Sequence, residues 1–356
     1  MPYCRKCGAK LEETARFCHV CGTPVAPVEG VAVTKPVAPI RRRPVYLLPV
    51  TVLIAILITA VIITAIIFLP VTHVNLNETR QLDSKVGVNN LALDFQADAA
   101  QVNIFFENLP GKMLLLNVTT SGWTGLLGDP AKSVAITFYS ETINDTAMAT
   151  SRVSHANIWP PQFSLNVICD VYIDPSATLN LTVHSDLGQI MMNVEKNMTL
   201  EELNLETATG SIDVSLSKDV MVEGSISLKS TTGAVRFRND EADVSGNVSV
   251  NLLSTTGFVD VDLAATLSLS GNVTVNAQTT TGTVNLFMVI EHDVGARIES
   301  DTDVGRINVD VKRFSGNQSP LQSNNYPAAS NFLVNLHTTT GRININAAYG
   351  SFTVLS

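Results

Sequence analysis

Over its second half, the chain repeats one pattern of hydrophobic and polar residues, and each copy is centred on a glycine. Apolar residues stand two and four positions after the glycine, and the position between them is mostly polar. A period of two is typical of a strand with one buried and one solvent-facing side. The glycines are Gly188, Gly210, Gly233, Gly257, Gly282, Gly305 and Gly341. We therefore predict a series of equivalent strands, each beginning at a glycine turn.

The same copies have apolar residues seven and five positions before each glycine, with one serine as the exception. Each unit thus predicts a strand, a threonine-rich turn closed by glycine, and a second strand. Units of 22 to 25 residues cannot bury an apolar face alone and must stack. The predicted fold class is mainly β, a parallel β-solenoid with TxTG turn repeats over 171–356. The last interval is 36 residues, so we predict that Ser315 to Ser330 forms an insertion looped out of one coil.

Stacking would place like residues of successive coils above one another at about 4.8 Å. The mostly polar position three residues after each glycine would form a column. In it the charges of Asp213, Arg236 and Asp260 alternate in sign, which favours this register. Threonines precede five of the glycines, and we expect their hydroxyl groups to form a ladder. They are Thr209, Thr232, Thr256, Thr281 and Thr340.

Residues 71–170 also alternate like strands, as in LALDF and VNIFF, but without the glycine register. They are predicted to form either irregular early coils or a packed β cap. Over about Val171 to Ile345 the chain resembles the prokaryotic "putative adhesin" domain family, on its T-x-T-G-x-[IV]-x-[VL] turns and on Tyr172-Ile173-Asp174-Pro175. The resemblance implies a β-solenoid and a family whose members are mostly of unknown function.

A stretch without any charged side chain runs from Val45 to Leu69. A helix from Pro49 to Leu69 would be about 31 Å long, which matches the hydrocarbon core of a bilayer. The alternative, a buried core helix, rarely runs this long without a polar face. We therefore predict a transmembrane helix within 45–70, ended by Pro70.

Arginines 41–43 adjoin this segment on one side only, and positive charge stays on the cytoplasmic side of a membrane. The apolar core is too long and too far from Met1 for a cleaved signal peptide. We therefore expect a single-pass protein of the cell membrane, with residues 1–44 cytoplasmic and 71–356 extracytoplasmic. Residues 1–44 have eight basic and three acidic side chains, whereas residues 71–356 have 15 and 29, so the outer part is acidic.

Four of the five cysteines occur in two copies of an aromatic residue, a Cys-x-x-Cys pair and a glycine. Thiolates at this spacing can hold a tetrahedral zinc, and the glycine lets backbone amides approach the sulfurs. Because Cys4, Cys7, Cys18 and Cys21 would fill all four positions, we predict a structural Zn²⁺. A redox dithiol is the alternative, and His19 could replace one ligand.

From Tyr3 to Pro24 the chain closely resembles the short zinc-ribbon domains at the amino termini of many archaeal and bacterial membrane proteins. The resemblance implies a zinc ribbon over 1–24 that docks a protein partner. Nucleic-acid contact is a weaker alternative, based on four basic residues. Five prolines follow within 22 residues, and a proline-rich linker is predicted over 25–44.

With 45% apolar and 15% charged residues, the whole chain fits neither a disordered protein nor a nucleic-acid-binding one. No nucleophile, zinc-protease or phosphate-loop motif occurs, and we expect no enzyme. Cys169 lies in an apolar strand pattern and is predicted to be an inert buried thiol, with an intermolecular disulfide as the alternative. The external histidines show no ligand spacing; they are His73, His155, His184, His292 and His337.

These features predict a membrane-anchored protein of the cell envelope. Its external β region would bind protein or glycan or give structural support, and its cytoplasmic zinc ribbon would dock a protein. The alternative is transmembrane signalling or regulation of envelope stress through the zinc ribbon. An envelope enzyme would need a polar cluster that only folding could assemble.

Overall fold

The computed structural model describes residues 2–25, 47–68, 70–125, 129–155, 165–195, 197–240, 242–265, 269–291 and 293–350. Most of the predicted linker, the arginines 41–43 and His292 lie outside these ranges. The chain divides into two units, Met1–Val61 and Ile62–Ser356.

The uncharged segment forms helix α1, Leu47–Phe68, close to the predicted bounds and with Pro49 in its first turn. Every described side chain of this helix, over residues 50–66, is exposed. Within the described residues, no helix meets the length and apolarity needed to cross a bilayer. The membrane span is therefore not confirmed.

The second unit is mainly β and is built from 21 strands in its described part. The first seven are β1 Pro70–Asp83, β2 Asn90–Ala99, β3 Gln101–Phe106, β4 Lys112–Gly125, β5 Val134–Ile143, β6 Thr146–His155 and β7 Asn166–Ile173. The next seven are β8 Thr178–Leu187, β9 Ile190–Val194, β10 Met198–Thr209, β11 Ile212–Leu216, β12 Val220–Thr232, β13 Val235–Asp240 and β14 Asp243–Ser245. The last seven are β15 Val248–Ala265, β16 Leu269–Ser270, β17 Val273–Ile290, β18 Val294–Lys312, β19 Phe314–Ser315, β20 Leu321–Ser323 and β21 Ser330–Tyr349. A short 3₁₀ helix spans Pro130–Lys132.

Successive repeats pair in parallel and in register, as the glycine spacing predicts. In β15, β17 and β21, Gly257 lies beside Gly282 and Gly282 beside Gly341. Of the fourteen apolar residues two and four positions after the glycines, twelve are buried. The two exceptions, Ile307 and Val309 of β18, are half-buried. One hydrophobic core runs through this unit from Leu82 to Ala347.

We call each unit of strand, corner and strand a coil. The corner glycines are required by the distance between neighbouring coils as well as by their backbone angles. Gly282 has φ +152°, which L-residues rarely adopt. A Cβ atom at Gly282 would overlap the carbonyl oxygen of Gly257 in the neighbouring coil. The same overlap would arise at Gly341 against Gly282. Any side chain at these corners would push the coils apart.

The prediction that the threonines before the glycines form a hydroxyl ladder is wrong. The five threonines before the glycines stack in register but point to solvent, and no hydrogen bond joins their hydroxyls within the described chain. A buried column two residues earlier takes this place in part. Some of its hydroxyls reach the carbonyl of the preceding coil's corner, whereas those of Thr279 and Thr338 have no hydrogen-bond partner among the described residues. Ser230 donates to Gly210 O at 2.9 Å and Ser254 to Gly233 O at 2.8 Å.

The order of the last coils differs from the chain order. Strand β21 lies between β17 and β18, pairing in parallel with both, so the Gly305 coil is outermost. The inward residues of β21 are buried and, except for Thr338, apolar, as a strand with two neighbours requires. Strand β18 instead has charged residues along its second half and suits the exposed edge.

The predicted insertion is not simply looped out, which corrects that expectation. Within it, β20 pairs antiparallel with β18 through Leu321 and Ile298, and it also pairs with β19. Leu321 is fully buried, and the Ser323 hydroxyl accepts a hydrogen bond from the Ala296 amide at 2.9 Å. The insertion therefore covers the first half of β18.

The region 71–170 combines both predicted alternatives. Strands β2 and β3 pair in parallel with β8 and β9 and add one coil whose corner is at Ala100 instead of a glycine. Strands β1, β4 and β7 pair antiparallel, as do β5 and β6. These antiparallel strands share the core of the repeats.

Candidate metal centre and outer-face groove

The two cysteine knuckles have the same backbone structure. In each, the first cysteine's amide donates to the carbonyl five residues later, and the glycine's amide donates back to the first cysteine's carbonyl. These bonds are Cys4 N to Ala9 O at 2.8 Å, Cys18 N to Thr23 O at 2.9 Å, Gly8 N to Cys4 O at 2.9 Å and Gly22 N to Cys18 O at 2.8 Å. Both glycines have φ near +70°. The sequence repeat is therefore also a structural repeat.

The sulfur atoms of Cys4, Cys7, Cys18 and Cys21 lie within 4.8 Å of one another. Sγ of Cys4 is 3.7 Å from Sγ of Cys21, and Sγ of Cys7 is 3.5 Å from Sγ of Cys18. A tetrahedral zinc with bonds of about 2.3 Å would hold sulfurs about 3.8 Å apart. The cluster is consistent with zinc binding, and four protein ligands would leave no position for water or substrate.

Local hydrogen bonds favour the thiolate at two of the four cysteines. At Cys7 the Ala9 amide lowers the pKa, but the sulfurs of Cys21 and Cys18 outweigh it and raise the pKa to about 12. The backbone amides of Lys6 and Cys7 lower the pKa of Cys4. The hydroxyl and the amide of Thr23 lower the pKa of Cys21 to about 6. Since the thiolate is the form that ligates a metal, these contacts prepare Cys4 and Cys21 for zinc.

On the second unit, the residues three positions after the corner glycines form a column on the outer face that is polar at every corner except that of Gly188, where Met191 stands. Asn308 Nδ2 donates to Asn344 Oδ1 at 2.8 Å, and Asn344 Nδ2 donates to Asn285 Oδ1 at 2.7 Å. Asn285 Nδ2 donates to Asp260 Oδ1 at 2.6 Å. Each amide donates in the same direction, and the chain of bonds ends on a carboxylate, the strongest acceptor available. We call these residues the amide ladder.

Arg236 continues this column between two carboxylates, as the predicted alternation of sign requires. Its Nη1 donates to Asp213 Oδ1 at 2.8 Å, and its Nε lies 3.6 Å from Asp260 Oδ2. Its guanidinium also lies over the ring of Phe258, 4.7 Å from the centroid. The two aspartates and the ring fix the arginine in place.

A groove of about 700 Å³ follows this face across β3, β9, β11, β13, β15 and β17. A second depression of about 400 Å³ shares Asn285 and Phe287 with it and continues over β21 and β18. Phe105 and Phe287 are partly exposed on the first and last strands of the larger groove. Phe105 stacks on Tyr172, with centroids 5.1 Å apart. Sequence analysis placed the polar column but missed this groove, for which the aromatic residues five positions after a corner are the signal.

The described lining of the groove contains no histidine, cysteine or lysine. Its charged side chains pair with one another, and Arg238 Nε lies 3.4 Å from Asp262 Oδ2. Burial raises the pKa of Asp262. The groove can bind a ligand non-covalently, through the planar carboxylate, amide and guanidinium groups and through the exposed aromatic rings.

Comparison with known proteins finds a family match for the amino-terminal part of the chain. Residues 3–25 match the zinc-ribbon domain family. No curated protein matches the chain.

Two solved structures are similar to the chain. One is a "putative cell adhesion protein" from Clostridium sporogenes, with 15% identity, coverage of 77% of this chain and 99% of that one, and a TM-score of 0.37. The other is a "putative adhesin" from Bacteroides fragilis, with 14% identity, coverage of 76% and 97%, and a TM-score of 0.36.

The remaining side chains of the zinc ribbon include a small core and an exposed apolar set. Leu11 packs with the buried Cys4 and Cys18. Tyr3, Phe17 and Val20 are each more than 60% exposed. His19 is exposed and lies outside the sulfur cluster.

Cys169 is fully buried in the β core, and burial raises its pKa to about 12. It is therefore protonated and inaccessible, as predicted. The four described histidines of the β unit do not come together. His73 packs edge-on against Trp123, His184 lies 3.1 Å from Asp186, and His337 lies 3.7 Å from Asp301.

Proposed function

We propose that this protein is a membrane-anchored protein of the cell envelope, whose external β-solenoid binds a partner or supports the envelope. The observation that carries the proposal is the in-register stacking of the corner glycines. Because Gly257, Gly282 and Gly341 leave no room for side chains, neighbouring coils are held at a fixed distance. A stack of such coils is a rigid scaffold that presents a similar polar side chain at each coil. A scaffold of this kind serves binding or support, and we propose no enzymatic activity.

The proposed anchor is α1. Its 22 residues are without charge, and its described side chains are exposed on every side. A helix that is apolar all round needs an apolar environment, either a protein core or a bilayer. The described side chains of α1 offer such an apolar surface, and we propose the bilayer as its environment. Arginines 41–43 favour a cytoplasmic amino terminus and an extracytoplasmic β unit.

We propose that Cys4, Cys7, Cys18 and Cys21 hold one structural Zn²⁺ at the cytoplasmic end. The exposed Tyr3, Phe17 and Val20 would give the zinc ribbon an apolar surface for a protein partner.

Protease added to intact cells tests this arrangement. We expect cleavage within the β unit, while an epitope tag fused to the amino terminus stays protected until the membrane is permeabilised. Rigid β structure can resist protease, so a recognition site for a specific protease is inserted near Ser319, in the exposed insertion. If that site is cut only after permeabilisation, the proposed location is wrong.

Signalling through the zinc ribbon is the second candidate, favoured by the same exposed apolar residues. Affinity capture with the wild-type chain and with a Tyr3→Ser, Phe17→Ser variant would test it, because neither residue is a proposed ligand. Loss of a cytoplasmic partner from the variant would support signalling. Identical partner sets from both chains would argue against it.

A further inference from the structure

We propose that the outer-face groove binds a linear, uncharged polysaccharide that runs along the axis of the coils. This inference rests on the proposed function, in which the β unit faces the outside of the cell. The groove and its continuation cross eight strands in the order β3, β9, β11, β13, β15, β17, β21 and β18. At about 4.8 Å between strands, seven steps give a path of about 34 Å.

The repeat distance of the groove favours a glycan over a peptide. Along the groove, equivalent side chains recur at every strand, about 4.8 Å apart. A sugar unit in an extended chain of linked hexoses advances by a similar distance, so each sugar would meet one coil. An extended peptide repeats its side-chain direction only every two residues, about 6.6 Å. A peptide would therefore lose register with the coils after two or three residues.

Backbone hydrogen bonding also argues against a peptide. Peptides often bind β structure by adding a strand at a free edge. Strands β11, β13, β15 and β17 are each paired on both sides, so the larger groove offers no free edge, and only its continuation ends at the edge strand β18. A ligand in the larger groove must therefore bind through side chains alone.

The charges of the groove favour a neutral ligand. Its larger part contains three carboxylates and two guanidinium groups, which pair within the protein. The net charge of about one negative unit gives little attraction for a polyanion or a polycation. Carboxylate, amide and guanidinium groups can still donate to or accept from neighbouring hydroxyl groups on a sugar ring.

Two exposed rings complete the site. Phe105 and Phe287 are 39% and 45% exposed on the first and sixth strands of the groove. The C–H face of a sugar ring packs on an aromatic face, as other apolar surfaces do. Between them the ring-bearing column contains Asn193, Ser215, Arg238 and Asp262, which are polar. Aromatic platforms at both ends with polar groups between them fit a chain of several sugars.

The test is isothermal titration calorimetry on the full chain in detergent. The probes are β-1,4-linked gluco-, manno- and N-acetylgluco-oligosaccharides of two to eight units. We expect one series to bind, with affinity that rises with length until the groove is filled. Phe287→Ala should weaken binding of the longest member about tenfold. Tyr139→Ala, which removes an exposed ring from β5 outside the groove, should leave binding unchanged.

Three results would overturn the inference. The first is that none of the three series binds at millimolar concentration. The second is that Phe287→Ala and Phe105→Ala together leave affinity unchanged in a protein with wild-type thermal stability. The third is that an oligolysine peptide binds more tightly than any glycan, which would assign the groove to a basic protein segment. None of these results bears on location, which the protease experiment measures separately.

Discussion

Replacing Gly282 by alanine should destabilise the β unit far more than the addition of one methyl group suggests. Gly282 has φ +152° and lies between Gly257 and Gly341 of the neighbouring coils. The new Cβ would overlap the carbonyl oxygen of Gly257. Because that oxygen belongs to the backbone, only separation of the two coils can relieve the overlap.

The magnitude follows from two contributions. An alanine at such a backbone angle costs about 1–3 kcal/mol. Separating the coils at this corner weakens about two backbone hydrogen bonds, at about 1 kcal/mol each. Together these predict a loss of about 3–5 kcal/mol in the free energy of unfolding.

Gly246→Ala is the matched control. Gly246 also has a positive φ, +80°, but a Cβ there would meet no atom within 4 Å. The Gly246→Ala variant should lose only the part of the free energy of unfolding that the backbone angle costs. The two variants should therefore differ by about 2 kcal/mol in the free energy of unfolding. For a unit of this size, that difference corresponds to about 3 °C in melting temperature. Thermal unfolding of the full-length variants, followed by circular dichroism, measures it. Equal melting temperatures would show that the corners tolerate side chains and that coil spacing is not fixed there.

Three further predictions concern single sites. Cys18→Ser should reduce bound zinc, measured by elemental analysis, from one per chain to nearly none, while the melting temperature of the β unit stays unchanged; retention of zinc would contradict the proposed ligands. Asn285→Ala should cost about 1 kcal/mol by breaking the amide ladder at its carboxylate end, whereas Asn346→Ala, on the neighbouring exposed column, should cost nothing measurable by urea unfolding. Cys169 should react with iodoacetamide only after unfolding, because it is buried and burial raises its pKa to about 12; labelling of the native protein at Cys169, detected by mass spectrometry, would show that the core opens.

The sequence predicts the local features of the fold well because each depends on residues close together in the chain. The spacing of Gly257 and Gly282 predicts parallel pairing in register, since only that register keeps every Val and Ile of the pattern inward. The knuckles around Cys4 and Cys18 are predictable for the same reason. A short motif with fixed spacing specifies both the turn and the positions of the cysteines.

The features that sequence analysis missed depend on contacts between distant residues. Thr232 and Ser230 both stand near a corner glycine, and the sequence does not say which hydroxyl turns inward. The inward position is decided by the carbonyl of Gly210, which only the preceding coil supplies. The groove was missed for a similar reason, since Phe105 and Phe287 are 182 residues apart in the chain and become the two ends of one site only through stacking.

Strand β21 lies inside β18 in the sheet although it follows β18 in the chain. The residue composition of the two strands explains this order. An outermost strand has one unpaired edge, and charged side chains there discourage pairing with other molecules. Strand β18 places Asp303, Arg306, Asp310 and Lys312 on that edge, whereas its inward Ile307 is only half-buried. In β21 the equivalent Ile343 is fully buried between two neighbours. The more polar strand therefore occupies the end of the stack, and the insertion before β21 gives the chain the length to return inside it.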